Sequence, residues 1–161
     1  MLRDAKFPQS GRSGLQSSVQ LSDRVVHLFR TGHLARAAQE ANLEEMCRRL
    51  DMPRDKVLRY YGRPQLPATP KSVVYLVGPL APAYGEPVKI GYTRSLPNRI
   101  EQLQPGSVKK LWLLAYREGG LELEREVHER LIAWQIREDW FEMCEAVREE
   151  FSLPDRETER S

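Results

Sequence analysis

With 161 residues, 40% of them hydrophobic, the chain can carry one ordinary domain or two small ones, and no apolar run approaches the ~20 residues of a membrane-spanning helix. Cys47 and Cys144 stand far apart, which excludes a disulfide frame or a zinc knuckle, and the opening MLRDAKFPQSGRSG lacks the apolar core of a secretory signal. A reduced, cytoplasmic protein without membrane attachment is expected.

The net charge is only +2, but it is unevenly spread. Residues 1–71 hold 13 Lys and Arg against 7 Asp and Glu (+6), residues 72–144 hold 9 against 10 (−1), and residues 145–161 hold 3 against 6 (−3). A polyanion gripped by the first part is implied.

Residues 1–19 are rich in Ser, Gly and Gln without periodicity and read as a flexible arm. Residues 20–62 read as a small all-α module. Ser22-Asp23 caps a first helix through Val25, Val26, Leu28 and Phe29 to a break at Thr31-Gly32, and the Ala-rich run Leu34 to Ala41 favours a second. In LEEMCRRLDMPRDKVLRYYG (43–62), Met46, Cys47 and Leu50 face one short helix. Asp51-Met52-Pro53 breaks it, and Val57, Leu58, Tyr60 and Tyr61 face the next.

Two helices about so tight a turn resemble a helix-turn-helix, with apolar spacing at Cys47, Leu50, Val57 and Tyr60 and with Asp51 where that turn usually has Gly. The resemblance implies that Arg54, Asp55, Lys56 and Arg59 project toward the major groove, with Arg48 and Arg49 near phosphate. A homodimer would suit a two-fold DNA site. The plain alternative is a helical hairpin with a solvated charged face.

RPQLPATPK (63–71), with three prolines, reads as a semi-rigid linker. The second domain, 72–145, opens with the strand SVVYLVG. It continues through a Pro-rich loop, the strand VKIGYT (88–93), a helix from Pro97 to Gln104, and a third strand from Lys109 to Tyr116. On the helix Arg99 shares a face with Leu96 and Leu103. The order β-β-α-β-α describes a small α+β domain with a three-stranded antiparallel sheet flanked by helices. Residues 146–161 read as a charged, mobile tail.

The last helix of that domain, expected from Leu121 to Gln135, has one irregularity. Wound at 3.6 residues per turn, Leu121, Leu123, Val127, Leu131, Ile132 and Trp134 share an arc, and Glu124 and His128, four apart, fall inside it. A carboxylate there is costly to bury unless a metal, a cation or hydrogen bonds compensate it. The alternative is that Glu124 lies at the stripe's edge and reaches water.

The pattern VVY…KIGYT…NR…E…H…WF resembles the GIY-YIG endonuclease superfamily over residues 72–142, in the branch whose second motif reads KIG and whose end reads E-W-F. The resemblance matches Tyr75 to the first-motif tyrosine and Lys89 to the position where many relatives carry the second. Tyr92 falls where a further proton-handling side chain sits, Arg99 matches the helix arginine, and Glu124 matches the metal-binding glutamate. Trp140-Phe141 lies near the terminal Asn of other branches. Val73 replaces the first glycine, and Asp139 rather than Glu precedes Trp140.

What this implies is hydrolysis of phosphodiester bonds in double-stranded DNA, with Mg2+ (or Mn2+) on Glu124 together with substrate oxygens and waters. Arg99 would offer donors to the non-bridging oxygens, and Tyr75 or Tyr92 would orient or deprotonate the water if Lys89 and the metal lower the phenol's pKa. His128 would brace the carboxylate or shuttle a proton. Each residue also has a structural role open to it: strand packing for the tyrosines, a surface cation for Lys89, a salt bridge with Glu124 for Arg99. At the level of function the alternatives are a non-cleaving DNA-binding regulator, and a protein-interaction hairpin joined to an RNA-directed domain.

Overall fold

A computed structural model describes residues 20–154. The arm expected at 1–19, and residues 155–161 of the expected tail, lie outside the described residues. The chain divides into two compact units near Pro70, with the short segment Arg30–Gly32 counted in the second.

The first unit is helical: α1 (Asp23–Arg30), α2 (Leu34–Leu50) and α3 (Arg54–Tyr61). The Val25 amide donates to Ser22 Oγ at 3.3 Å, so the cap foreseen for α1 is formed. Where two helices were expected between Leu34 and Leu50 there is one of 17 residues, because no Gly or Pro interrupts it. Asp51 does not cap α3. It ends α2 in the left-handed conformation (φ 53, ψ 47), its amide bonded to Arg48 and Cys47 carbonyls, and Pro53 takes the cap position of α3. That conformation is the one glycine favours, and Asp is among the few residues that visit it at modest cost.

The core of this unit is Val25, Leu28, Phe29, Ala37, Ala38, Leu43 and Val57. Leu50 and Tyr60, expected on the apolar faces, are 40% and 66% exposed, so only Val57 and the half-buried Cys47 carry that spacing inward. A buried carboxylate ties the unit together. Glu40, 3% exposed, accepts from both terminal nitrogens of Arg54 at 2.9 and 3.2 Å, with Arg63 at 3.4 Å and Arg24 at 3.6 Å.

The second unit holds β1 (Val73–Gly78), β2 (Pro87–Thr93), α4 (Leu96–Leu103), β3 (Trp112–Glu118), α5 (Leu121–Arg130), β4 (Gln135–Arg137), β5 (Trp140–Glu142) and α6 (Glu145–Glu150). Its sheet has five antiparallel strands in the order β3-β1-β2-β5-β4, not three. The two missed strands are three residues each, and Gln135–Arg137 is exposed throughout, so neither shows an apolar alternation. Their hairpin turn, Glu138-Asp139 with Glu138 at φ 49, also lacks the Asn-Gly signature of such turns.

One face of the sheet (Val74, Leu76, Val88, Ile90, Ala115, Phe141) packs on Val127, Leu131, Val147 and Phe151. Helix α5 stops at Arg130 rather than Gln135, followed by a short 3-10 turn, Ile132–Trp134, that leads into β4. Leu121 and Ile132, expected on its apolar arc, are 46% and 61% exposed. The segment expected as a mobile tail includes α6, whose Val147 and Phe151 are core residues. No helix among the described residues is long and apolar enough to cross a membrane.

Candidate active site

Strand β1 is buried along its whole length, and Tyr75 is its largest side chain, 2% exposed. Across the ladder it faces Gly91. A Cβ at position 91 would lie 2.4 Å from the Tyr75 hydroxyl and 2.7 Å from the ring carbon that carries it, so the phenol lies in space that only glycine leaves open. Burial, reinforced by the charges of Asp139 and Glu124 and only partly offset by Arg99, pushes the phenol up to about 12. Tyr75 therefore keeps its proton at neutral pH.

Strand β5 pairs with β2 only over Pro87–Lys89. One residue further, the Ile90 amide donates to the Asp139 carbonyl at 3.0 Å, and the Ile90 carbonyl accepts from His128 Nε2 at 2.9 Å. Because a carbonyl can only accept, Nε2 carries the proton, and in the neutral ring Nδ1 is left as a lone pair. Phe141 meets the His128 ring edge-on at 5.0 Å. The backbone of a single residue thus holds Asp139 and His128 side by side.

Helix α5 brings Glu124 to the same place. Its buried line is Leu123, Val127 and Leu131, spaced by four, and Glu124 and His128 each follow that line by one residue. They flank the apolar stripe rather than lie inside it, and both are half-buried. Glu124, His128 and Asp139 each offer one ligand atom within 4.8 Å of the others. Burial pushes the Glu124 carboxyl above its usual range. The Asp139 charge adds to this, while His128, Lys89 and Arg125 oppose it. Two carboxylates and an imidazole drawn together, with too little positive charge to hold Glu124 in its usual range, form a donor set that suits a divalent cation.

Lys89 and Arg99 supply the cations nearby. Lys89 Nζ lies 3.1 Å from Asp139 Oδ2 and 5.6 Å from the centre of the Trp140 ring, with only 14% of its side chain exposed. It is therefore not a free surface cation. Arg99 acts on Tyr75, and its Nε is buried with no hydrogen-bond partner. Among the described residues no ion pair joins it to Glu124. An orphaned buried donor of this kind lacks an acceptor that a phosphate oxygen could supply. Tyr92 projects from the opposite side of β2 from Gly91, and its ring lies 3.9 Å from where a Cβ on Gly120, the residue before α5, would sit.

The structure thus brings Glu124 and His128 together, sets Lys89 beside them through Asp139, and leaves Tyr75 across Gly91 within electrostatic reach of Arg99, Asp139 and Glu124, with Tyr92 near the start of α5. It adds Asp139, which sequence reasoning noticed only as a departure from a motif. The available signal was an acid directly before a Trp-Phe pair. Of the basic residues expected at DNA, Arg54 is engaged by Glu40, while Arg48 and Arg49 are paired with Glu45. Lys56 and Arg59 are exposed on α3.

No curated protein and no solved structure matches the chain. A family model, the T5orf172 domain, matches residues 72–152, half of the chain and nearly all of the second unit. That domain is associated with endonuclease-type proteins. The protein whose sheet edge gathers these side chains belongs to the T5orf172 domain family.

Proposed function

We propose that the chain is a metal-dependent endonuclease that hydrolyses phosphodiester bonds in double-stranded DNA, with its second unit working in the manner of the GIY-YIG nucleases and its helical unit bringing the duplex to it. The observation that carries this reading is the Arg99 Nε, buried and without an acceptor, together with an under-compensated Glu124 carboxylate, both of them acting electrostatically on the Tyr75 phenol. A guanidinium donor with nothing to bind and a carboxylate short of positive charge are complementary to a phosphate and its counter-cation.

In this reading Glu124 holds a divalent ion, Mg2+ or Mn2+, which when bound screens phosphate charge and makes water acidic enough to react. Arg99 donates to a non-bridging phosphate oxygen, an interaction that strengthens as charge builds there. Tyr75, keeping its proton, donates a second hydrogen bond toward the same phosphate. Lys89 neutralises Asp139 and keeps a positive charge at the edge of the site. Lys56 and Arg59, exposed on α3, offer sequence-independent contacts to the duplex backbone.

The test is supercoiled plasmid incubated with the protein and Mg2+ or Mn2+, beside Glu124→Ala and Arg99→Ala. Nicked or linear product from the wild type alone is expected. Cutting that Glu124→Ala leaves unchanged would sink the reading.

A non-cleaving DNA-binding module is the second reading, favoured by a Tyr75 that holds its proton too firmly to serve as a base and by a Lys89 already paired with Asp139. Retarded duplex migration with no strand breaks under either ion would select it.

A further inference from the structure

The geometry points to a three-ligand metal centre of mixed nitrogen and oxygen donors, made by Glu124, His128 Nδ1 and Asp139, which takes Mn2+ or a comparable first-row ion in preference to Mg2+. The inference rests on the reading that Glu124 holds an ion, and it goes further in naming the other ligands and the class of metal.

Three observations converge on it. One carboxylate oxygen each from Glu124 and Asp139 and a ring nitrogen of His128 lie within 4.8 Å of one another. An ion bound at about 2.0–2.2 Å sets neighbouring ligand atoms ~3 Å apart and opposite ones ~4.3 Å apart, so closure needs only small side-chain adjustments. Next, His128 is held as metal-ligating histidines usually are. Its Nε2–H is anchored on a backbone carbonyl, Ile90, at 2.9 Å, which fixes the tautomer and leaves Nδ1 as the free lone pair. The packing of Phe141 at 5.0 Å restrains the ring further. Finally, the same Ile90 bonds the Asp139 backbone at 3.0 Å, so two of the three ligands are positioned from one residue of β2.

The ligand types decide the metal. Mg2+ is a hard cation that prefers oxygen and gives up water reluctantly, whereas imidazole is a good ligand for the later first-row ions, and affinity for mixed sites rises along that series. A carboxylate-only site at Glu124 would show little preference. Lys89 contributes in the other direction. Its ammonium, 3.1 Å from Asp139 Oδ2, repels an incoming dication while leaving the second oxygen of Asp139 for coordination.

The experiment is equilibrium binding of Mn2+ to the full chain without nucleic acid, read from the loss of the free-ion spin resonance signal, with Mg2+ as competitor. One ion per chain is expected, with Mn2+ preferred over Mg2+ by about 10-fold or more. His128→Gln keeps a donor for Ile90 and should lose most of the Mn2+ affinity and of that preference. Asp139→Asn should weaken both ions, and Lys89→Met should tighten them. Equal affinity for the two ions, or binding by His128→Gln within twofold of wild type, overturns the centre.

A second readout needs no variant. At substoichiometric Mn2+ the ring resonances of His128 should broaden before those of His27 and His33, and uniform broadening of all three overturns the assignment. DNA cleavage enters neither measurement. A protein that binds Mn2+ as described and cuts nothing keeps this centre and loses the nuclease reading. One that cuts DNA while His128→Gln binds like wild type keeps the nuclease reading and loses the centre.

Discussion

Glu40 in the helical unit and Glu124 in the sheet unit are both carboxylates taken partly or wholly out of water, and they meet opposite electrostatic fates. Glu40 is surrounded by Arg54, Arg24 and Arg63, and the hydrogen bonds from Arg54 above all hold its carboxyl below the usual range against the pull of burial. Glu124 is pushed above that range by burial, with a second acid, Asp139, adding to the effect. Glu150 is of the first kind, held low by Arg130 and Arg117. A carboxylate matched with cations is a fastener. One left short of them is a place for a cation to arrive. The +6 balance of residues 1–71 acquires a second meaning here, because three of those arginines hold the helical unit together.

The largest expected break in the comparison is catalytic. Arg99→Ala and Glu124→Gln should each lower plasmid cleavage about 10³-fold, in line with removal of a group that stabilises developing charge. Glu124→Gln should also raise Tm at pH 7, because a site that favours function is under-compensated when empty. The sign follows from the raised carboxyl. Folded Glu124 holds its proton more tightly than the unfolded chain does, so its contribution is fully present below about 4.5 and is lost as pH rises. The Tm gain of Glu124→Gln over wild type should therefore grow from pH 4 to pH 7.

Glu40→Ala should do the reverse: leave any cleavage chemistry intact and cost about 2–4 kcal/mol of stability, measured by urea denaturation at pH 7. Its lowered carboxyl contributes stability above 4.5 that is lost as pH falls through the carboxylate range, opposite in sign to Glu124. An unchanged denaturation midpoint in Glu40→Ala would remove the fastener from the comparison.

Gly91→Ala comes next, at about 1–3 kcal/mol, because the new methyl must displace the Tyr75 phenol. In a Tyr75→Leu background the same change should cost much less, and equal costs in both backgrounds would show that Tyr75 does not lie across β2. The smallest effect belongs to the Lys89–Asp139 pair. Lys89→Met should change stability by about 1 kcal/mol or less, since Asp139 is 44% exposed.

Much of this was legible in the order of residues. The strands around Val73–Gly78 and Lys89–Thr93, the helix that carries Arg99, and the placement of Glu124 and His128 four apart on one helix all follow from local periodicity and turn chemistry. These are effects between near neighbours, which a single chain displays directly. Residues 135–142 were opaque, because two three-residue strands gain their order from pairing with β2 and with each other rather than from their own pattern. Asp139 was hidden for the same reason.

The chain's sequence determined which side chains were available and on which kind of element each would sit. Only tertiary structure decided which charges would be answered. Arg54, which read as a free cation at a helix start, is drawn onto Glu40, 14 residues earlier. Arg99, which reads as a donor to phosphate oxygens or else as a salt-bridge partner of Glu124, has its Nε buried without a hydrogen-bond partner. Periodicity reports which way a side chain faces, but the state of a buried charge depends on groups that arrive from distant parts of the chain, and on how much water they exclude.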